Sequence, residues 1–205
     1  MNINPLNRKE RDRQLRRADI MKAAEQVFAA QGYLKATIKD IACQAQYATG
    51  TVYLYFKDKE ELYRALLDNK TCLLLSMARD KTENIISVQD KLKIFTETTF
   101  KFFEQNHDFG RIFLLESDNS IEEKRFFSSP QGKAFHDFLV SLIRKAQEEK
   151  VARTDINPEQ LAVIFREVVK AITLHWLEFP QIYHNDSRTA AALAVDIFFQ
   201  GAFKR

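Results

Sequence analysis

The segment TIKDIACQAQYATGTVYLYFKDKEEL, residues 37–62, decides how this chain folds. Thr37 is suited to begin a helix, because its hydroxyl can accept a hydrogen bond from a backbone amide of the first turn. Asp40, three residues on, completes the pattern of a capping box. The apolar positions that follow recur at helical spacing: Ile38, Ile41, Ala42 and Ala45. The letters QYATG interrupt this pattern, which therefore predicts a short helix.

A second short helix follows the interruption. TVYLYF, residues 51–56, has room for barely two turns, and its apolar pair Val52 and Phe56 lies at i, i+4 spacing. The charged residues after Phe56 break the pattern. A longer helix is predicted from near Lys59 past Leu75.

A first helix precedes both of these. Its apolar residues recur at steps of three, four, seven and eight, and they are Ile20, Ala23, Ala24, Val27 and Phe28. Gly32 is the expected stop at its carboxyl end. One helix followed by two short ones across a tight turn is the arrangement of a helix-turn-helix motif. In this motif a small core holds the third helix with its outer side exposed.

The outer side of the third helix is suited to meet a DNA duplex. Gly50 and Leu54 lie opposite the apolar pair on a helical wheel, and a glycine lets the backbone come close to another surface. Hydroxyl groups that can donate to phosphate oxygens or base edges belong to Thr49, Thr51, Tyr53 and Tyr55. Lys57 and Lys59 lie near the next helix start, where an anion is favoured. The alternative is that the tyrosines are half-buried helix residues and the charges a solvated face.

Charges and aromatic residues divide the chain of 205 residues into two parts. Residues 1–60 carry eleven Lys or Arg and seven Asp or Glu, whereas residues 61–205 carry twenty and twenty-one. Fifteen of the seventeen phenylalanines lie in the second part. A basic front suits a polyanion, whereas a phenylalanine-rich back would enclose something apolar or simply itself. We expect residues 1–15 to be a flexible basic arm, residues 16–60 the DNA-binding domain and residues 61–205 a ligand-binding and dimerisation domain.

Residues 18–64 resemble the DNA-binding domain of the TetR family, AcrR-type, of bacterial transcriptional regulators. The resemblance rests on the end of the first helix at Gly32, on the segment quoted above and on its aromatic run. It implies an all-α, nine-helix fold with a three-helix head and a larger helical domain. The DNA-contacting residues that it implies are Thr37, Lys39, Thr49, Gly50, Thr51, Tyr53, Tyr55 and Lys59, to which the charge pattern adds Lys57. Gln46 departs from the family pattern, because many members have glycine there in a left-handed turn.

The chain after residue 80 predicts further helices with phenylalanine-rich faces, nine helices in all and no strand. Asn157 and Asp186 are predicted caps of the last two helices. The segment 117–132 is expected as a long loop over a pocket. The resemblance implies that this domain holds a small molecule whose binding moves the fourth helix and separates the DNA-binding heads. We predict an apolar or amphipathic effector, such as a fatty acyl-CoA or a hydrophobic drug-like compound, near Phe103, Phe113, Phe138 and Trp176. The alternative is that these side chains are plain core.

The last helix is apolar nearly all round, apart from Asp196 and Gln200, and needs cover on more than one side. The resemblance implies a homodimer held by a four-helix bundle of the last two helices. The predicted interface residues are Ala171, Leu174, Ala191, Ala194, Val195 and Phe198. A two-fold dimer would present two recognition helices about one turn of B-DNA apart, which predicts a near-palindromic operator. Burial within one chain is the alternative.

These features predict a cytoplasmic, ligand-responsive transcriptional repressor. Two alternatives stay open: a DNA-binding protein without a small-molecule inducer, and a helical adaptor, which would leave the basic head and the hydroxyl cluster unexplained. An enzyme is not predicted, since neighbours such as His107 and Asp108 point about 100° apart on a helix and no catalytic motif is found.

The sequence predicts no cofactor and no metal site. Cys43 and Cys72 lack metal-type spacing and are expected as reduced, buried thiols. No apolar run reaches the length of about 18 residues that a membrane span needs.

Overall fold

The computed structural model describes residues 8–115 and 128–202. Within these ranges the chain is all-α, which confirms the predicted fold class, and it contains nine α-helices and no strand. We number the helices in chain order. They are α1 (Arg8–Lys35), α2 (Ile38–Gln44), α3 (Thr49–Tyr53), α4 (Lys59–Thr82), α5 (Val88–Gln105), α6 (His107–Leu115), α7 (Pro130–Glu148), α8 (Pro158–Glu178) and α9 (Ser187–Ala202).

Two compact units make up the chain, Met1–Leu67 and Asp68–Arg205. The division therefore falls inside α4, later than the boundary after residue 60 that the sequence predicts. The amino-terminal arm also differs from the prediction: α1 begins at Arg8, so residues 8–15 are helical, and only residues 1–7 lie outside the described part. The predicted loop at 117–132 lies mostly outside the described residues, and α7 begins within its last residues.

Local sequence signals shape the first unit as predicted. Thr37 caps α2: its hydroxyl oxygen accepts from the Asp40 amide at 3.2 Å, and the Asp40 carboxylate accepts from the Thr37 amide at 3.0 Å. Gly32 interrupts α1 with φ 78° and ψ 158°, a backbone conformation that suits glycine. Gln46 holds a φ of 59°, so the turn after α2 is left-handed although its residue is not glycine.

The core of the first unit joins the first three helices and the start of α4. Val52 of α3 and Phe56 after it are almost fully buried, together with Ile20, Val27 and Phe28 of α1 and Ile41 of α2. The rings of Phe28, Tyr33 and Tyr63 pack against one another with centroid distances of 4.7–5.8 Å. Burial of a large apolar side chain contributes about 1.5–3 kcal/mol, so this small core is sufficient to fix the short α3.

The second unit is built around α5, α8 and α9, which pack together, with α7 against α5 and α8. Side-chain caps begin the helices where the sequence predicts them: Asn157 accepts from the Glu159 amide at 2.8 Å, and Asp186 from the Arg188 amide at 3.0 Å. The hydrogen bonds from Arg188 also hold the pKa of Asp186 below its usual value. A short 3₁₀ helix, Pro180–Tyr183, links α8 to α9.

Gly110 lets α6 lie close to its neighbours. A Cβ built at this position would be 2.9 Å from Leu177 Cδ1 and 3.3 Å from Phe103 Cδ1. The helix continues through the glycine from His107 to Leu115. A side chain at this position would therefore require Leu177 and Phe103 to shift.

Candidate nucleic-acid interface

The short helix α3 presents one face to solvent and one to the core. Val52 is fully buried, whereas Tyr53 is 54% exposed and Leu54 is 77% exposed. Thr49 and Gly50 are also exposed, and Thr51 and Tyr55 are half-buried. The hydroxyl-bearing residues predicted from the sequence thus share an accessible region around the first turn of α3.

Gly50 has no internal reason to be glycine. A Cβ built on it meets no atom within 4 Å, so a methyl group would enter open space. Its φ is outside the left-handed region, where a side chain would be strained. Glycine in a helix is also unfavourable by about 1 kcal/mol relative to alanine. Glycine, which has the lowest helix propensity after proline, thus occupies a position on the exposed face where a side chain would fit.

Two contacts from α1 hold the segment that carries α3. The Tyr47 hydroxyl, in the turn before α3, donates to the Asp19 carboxylate at 3.1 Å. Partial burial, and then this hydrogen bond, raise the pKa of Tyr47. The guanidinium of Arg17 lies 4.8 Å from the centroid of the Phe56 ring. Neither partner in α1 is evident from the local pattern, because Asp19 lies 28 residues before Tyr47.

Thr37 and Lys39, at the start of α2, differ in how readily their polar groups could contact DNA. Both residues are exposed. The Thr37 hydroxyl already donates to the Asp40 carboxylate at 2.6 Å, in addition to its role as an acceptor in the cap. A phosphate contact from this hydroxyl would have to replace that bond, whereas the Lys39 side chain is solvent-exposed.

Lys59 requires a correction to the predicted DNA-contacting set. Its ammonium donates to the carbonyl oxygens of Tyr33 at 2.7 Å, Leu34 at 3.3 Å and Ala36 at 2.8 Å. An ammonium group has three N–H donors, so these carbonyl groups at the end of α1 use all of them. Lys59 is therefore engaged inside the first unit, and a phosphate clamp built on it conflicts with this geometry. Lys57 is exposed, with its amide bonded to the Glu61 carboxylate at 2.6 Å.

The four residues predicted for the effector site are divided among three aromatic clusters of the second unit. Phe103 and Phe113 stack with Phe109, with centroid distances of 5.5–6.2 Å. Phe138 packs on Phe95 at 6.1 Å. Trp176 packs on Phe100 at 6.0 Å. Only Phe103 and Phe113 are therefore brought directly together.

Trp176 has an unusual polar feature. Its Nε1–H is buried and has no hydrogen-bond acceptor among residues 8–115 and 128–202. A buried donor without a partner costs about 1–3 kcal/mol. This donor marks a place in the second unit where an acceptor group would be stabilised.

Four of the six residues predicted for the dimer interface are buried within a single chain, which corrects the predicted interface at these positions. Ala191, Ala194, Val195 and Phe198 of α9 are buried within the second unit. Ala171 is exposed and Leu174 half-buried on α8. The apolar side chains that α9 does present to solvent are Leu193, 41% exposed, and Ile197, 50% exposed.

Other reactive groups of the described residues form no catalytic or metal-binding arrangement. His175 Nδ1 lies 2.7 Å from the buried Tyr183 hydroxyl, not beside a carboxylate. Both cysteines are exposed, contrary to the prediction of buried thiols. Residues 8–115 and 128–202 contain no group of three or more side chains placed to hold a metal ion. None of the helices in these ranges has the length and apolar character needed to cross a bilayer.

Comparison with known proteins connects the first unit to a family. Residues 20–66 match the family model of the bacterial regulatory proteins, tetR family. The fatty acid metabolism regulator protein of Bacillus subtilis is 30% identical over 106 residues, 52% of this chain and 55% of that protein. The transcriptional repressor KstR2 of Mycobacterium tuberculosis is 24% identical over 162 residues, 78% of this chain and 80% of that protein.

A solved structure extends the likeness along the chain. It is that of the regulator FadR from Bacillus subtilis in complex with stearoyl-CoA, with a TM-score of 0.80 and 22% identity, covering 90% of this chain and 98% of that one. At this identity the likeness concerns the fold. The family model matches the helices of the first unit, including α3 with its exposed face, and the solved structure shares the fold. Residues 20–66 therefore belong to the tetR family of bacterial regulatory proteins.

Proposed function

We propose that this protein is a transcriptional repressor that binds a near-palindromic operator as a homodimer and leaves it when an amphipathic small molecule binds the second unit. A fatty acyl-CoA thioester is the first candidate for that molecule. The proposal has three parts, the DNA contact, the dimer and the effector, and each depends on different residues.

The observation that carries the DNA contact is the open position of Gly50. Among the described residues, no atom beyond the neighbouring part of α3 lies within 4 Å of a Cβ built there. A glycine retained at an exposed helical position is explained if another surface comes close to the backbone. The surrounding groups of Thr49, Tyr53 and Lys57 are exposed donors, and donors of this kind bind phosphate oxygens and base edges.

The dimer is supported by the apolar residues that α8 and α9 leave at the surface. Val163 and Ile164 of α8 are exposed, as are Leu193 and Ile197 of α9. Ile197 follows Leu193 by four residues, so both lie on one side of α9. A two-fold axis through this surface would cover it and pair two heads, each with one recognition helix, which implies a near-palindromic site.

The effector is supported by the chemistry of the second unit. The Phe103, Phe109 and Phe113 rings form an apolar cluster suited to an acyl chain. The unpartnered Nε1–H of Trp176 would donate to a carbonyl oxygen of the effector. The Bacillus subtilis matches are described as a fatty acid metabolism regulator and as a FadR structure in complex with stearoyl-CoA, and these descriptions favour an acyl thioester over other amphipathic molecules. A coupling of about 1–3 kcal/mol would weaken operator binding by about 5- to 150-fold.

Selection of bound duplexes from a randomised pool by the full chain tests the proposal. We expect an enriched near-palindrome, and release of that duplex by stearoyl-CoA but not by free coenzyme A. Failure to enrich any sequence would contradict the repressor function. Enrichment without release by stearoyl-CoA would keep the DNA-binding function and overturn the acyl-CoA assignment.

A further inference from the structure

The buried face of α1 continues upstream as a row of basic side chains. Within the core this face carries Ile20, Ala24 and Val27, which are buried. The same steps of three and four residues lead back from Ile20 to Arg16, Arg13 and Lys9. We call Lys9, Arg13, Arg16 and Arg17 the basic ridge. All four are exposed, so the stripe changes from apolar to cationic where α1 leaves the core.

Contacts at the base of the basic ridge fix the side of α1 on which it lies. Arg17 places its guanidinium over Phe56, three residues after the last residue of α3. Asp19 accepts a hydrogen bond from the Tyr47 hydroxyl in the turn before α3. The ridge therefore lies on the side of α1 that contacts Tyr47 and Phe56, the residues flanking α3, and it extends that side beyond the core.

The composition of this helical extension favours a polyanion over an apolar partner. Residues 8–17 contain six Lys or Arg, two Asp or Glu and a single apolar residue, Leu15. Nearly all of these side chains are exposed. The rise of about 1.5 Å per residue gives a length of about 12 Å from Lys9 to Arg17. Phosphates of one DNA strand follow at about 3.4 Å along the axis, so this length spans three or four of them.

We propose that the basic ridge binds the phosphate backbone of DNA next to the base pairs met by α3, as a second contact surface of the same head. This inference rests on the proposed function. It assigns to the amino-terminal turns of α1 a share of the affinity that does not depend on base sequence, because contacts to phosphate position a protein without reading bases.

Two matched pairs of substitutions test the ridge. The ridge pair is Lys9→Gln with Arg13→Gln. The control pair is Arg11→Gln with Lys22→Gln, which removes the same charge from exposed positions on the opposite face of α1. Lys, Arg and Gln have similar helix propensities, so circular dichroism and thermal unfolding should match the wild type for both pairs.

The readout is the slope of log affinity against log salt concentration on a duplex selected by the wild-type chain. Each phosphate contact contributes about 0.9 to this slope. We expect the ridge pair to lower it by about 3.6, because each of the two heads of the dimer loses two phosphate contacts, and the control pair to leave it near the wild-type value. Equal slopes for the two pairs would overturn the ridge while leaving the proposed function standing. If the wild type binds no duplex at all, the proposed function fails, and the ridge fails with it.

Discussion

The ammonium of Lys59 donates a hydrogen bond of 2.7 Å to the carbonyl oxygen of Tyr33 and lies 4.5 Å from the centroid of that residue's ring. Two further carbonyl oxygens, of Leu34 and Ala36, complete its set of acceptors. Lys59 thus connects the start of α4 to the end of α1. The cation stabilises the carbonyl end of a helix, where the helix dipole favours positive charge.

Replacing Lys59 with methionine should destabilise the first unit while keeping the length of the side chain. Hydrogen bonds to a charged group contribute about 1.5–3 kcal/mol, and the half-buried position allows water to replace part of this. We expect the free energy of unfolding to fall by about 1–2 kcal/mol in urea titrations.

Lys57→Met is the matched control for Lys59→Met. Lys57 is exposed, so its loss should leave unfolding unchanged and lower the salt slope of DNA binding by about 1.8, one phosphate contact in each head of the dimer. The opposite pattern, in which only Lys59→Met changes the salt slope and neither changes stability, would restore Lys59 as the phosphate clamp.

The exposed apolar pair of α9 should control assembly. Leu193→Glu combined with Ile197→Glu places two carboxylates on the proposed two-fold surface, where like charges of the two copies would repel each other. We expect this variant to sediment as a monomer at micromolar concentration, with its helical content retained. Ile86→Glu is the control, because Ile86 is 90% exposed and lies outside α8 and α9. A double variant that still sediments as a dimer would contradict this interface.

The indole N–H of Trp176 should affect the response to the effector. Trp176→Phe removes the unpartnered donor and keeps an aromatic ring against Phe100. Loss of one hydrogen bond of about 0.5–1.5 kcal/mol should raise the stearoyl-CoA concentration for half-release of DNA by about 2- to 10-fold. Thermal unfolding of the free variant controls for damage to the core. An unchanged half-release concentration would remove Trp176 from the effector site.

Local signals in the sequence are sufficient to predict much of the local structure of the first unit. The Thr37 cap, the break at Gly32 and the left-handed turn at Gln46 depend on residues within a few positions, and all three are found. Periodicity likewise predicts that Val52 is buried and that Leu54 is exposed, as the structure has them. The partners of Lys59 lie 23–26 residues away, and no local pattern indicates that a lysine near a helix start will reach back to a preceding helix.

The residues predicted for the dimer interface show a second limit of prediction from sequence. Because α9 is apolar nearly all round, a helical wheel cannot tell its inner side from its outer side. The packing of α9 against α5 and α8 decides that Phe198 is buried and Ile197 is exposed. The four aromatic residues predicted for the effector site share only their residue type, and tertiary packing distributes them over three clusters.

Gly50 and Gly110, which both lie within helices, should respond in opposite ways to substitution by alanine. Gly110→Ala adds a methyl group 2.9 Å from Leu177 Cδ1 and 3.3 Å from Phe103 Cδ1. Overpacking of this kind costs about 1–3 kcal/mol, which exceeds the gain in helix propensity of up to about 1 kcal/mol. We expect a net loss of stability of about 1 kcal/mol in urea unfolding. A more stable Gly110→Ala variant would show that α6 has room beside Phe103.

The most direct test of the DNA-binding face is Gly50→Ala, with stability and operator affinity measured on the same preparation. The added methyl group enters open space in the free protein, so unfolding should be unchanged or shifted up by as much as about 1 kcal/mol. Affinity for the selected duplex should fall at least about tenfold, equivalent to about 1.4 kcal/mol, because the methyl group would separate the backbone of α3 from the DNA. A Gly50→Ala protein that binds this duplex as tightly as the wild type would contradict the claim that α3 meets DNA through this face.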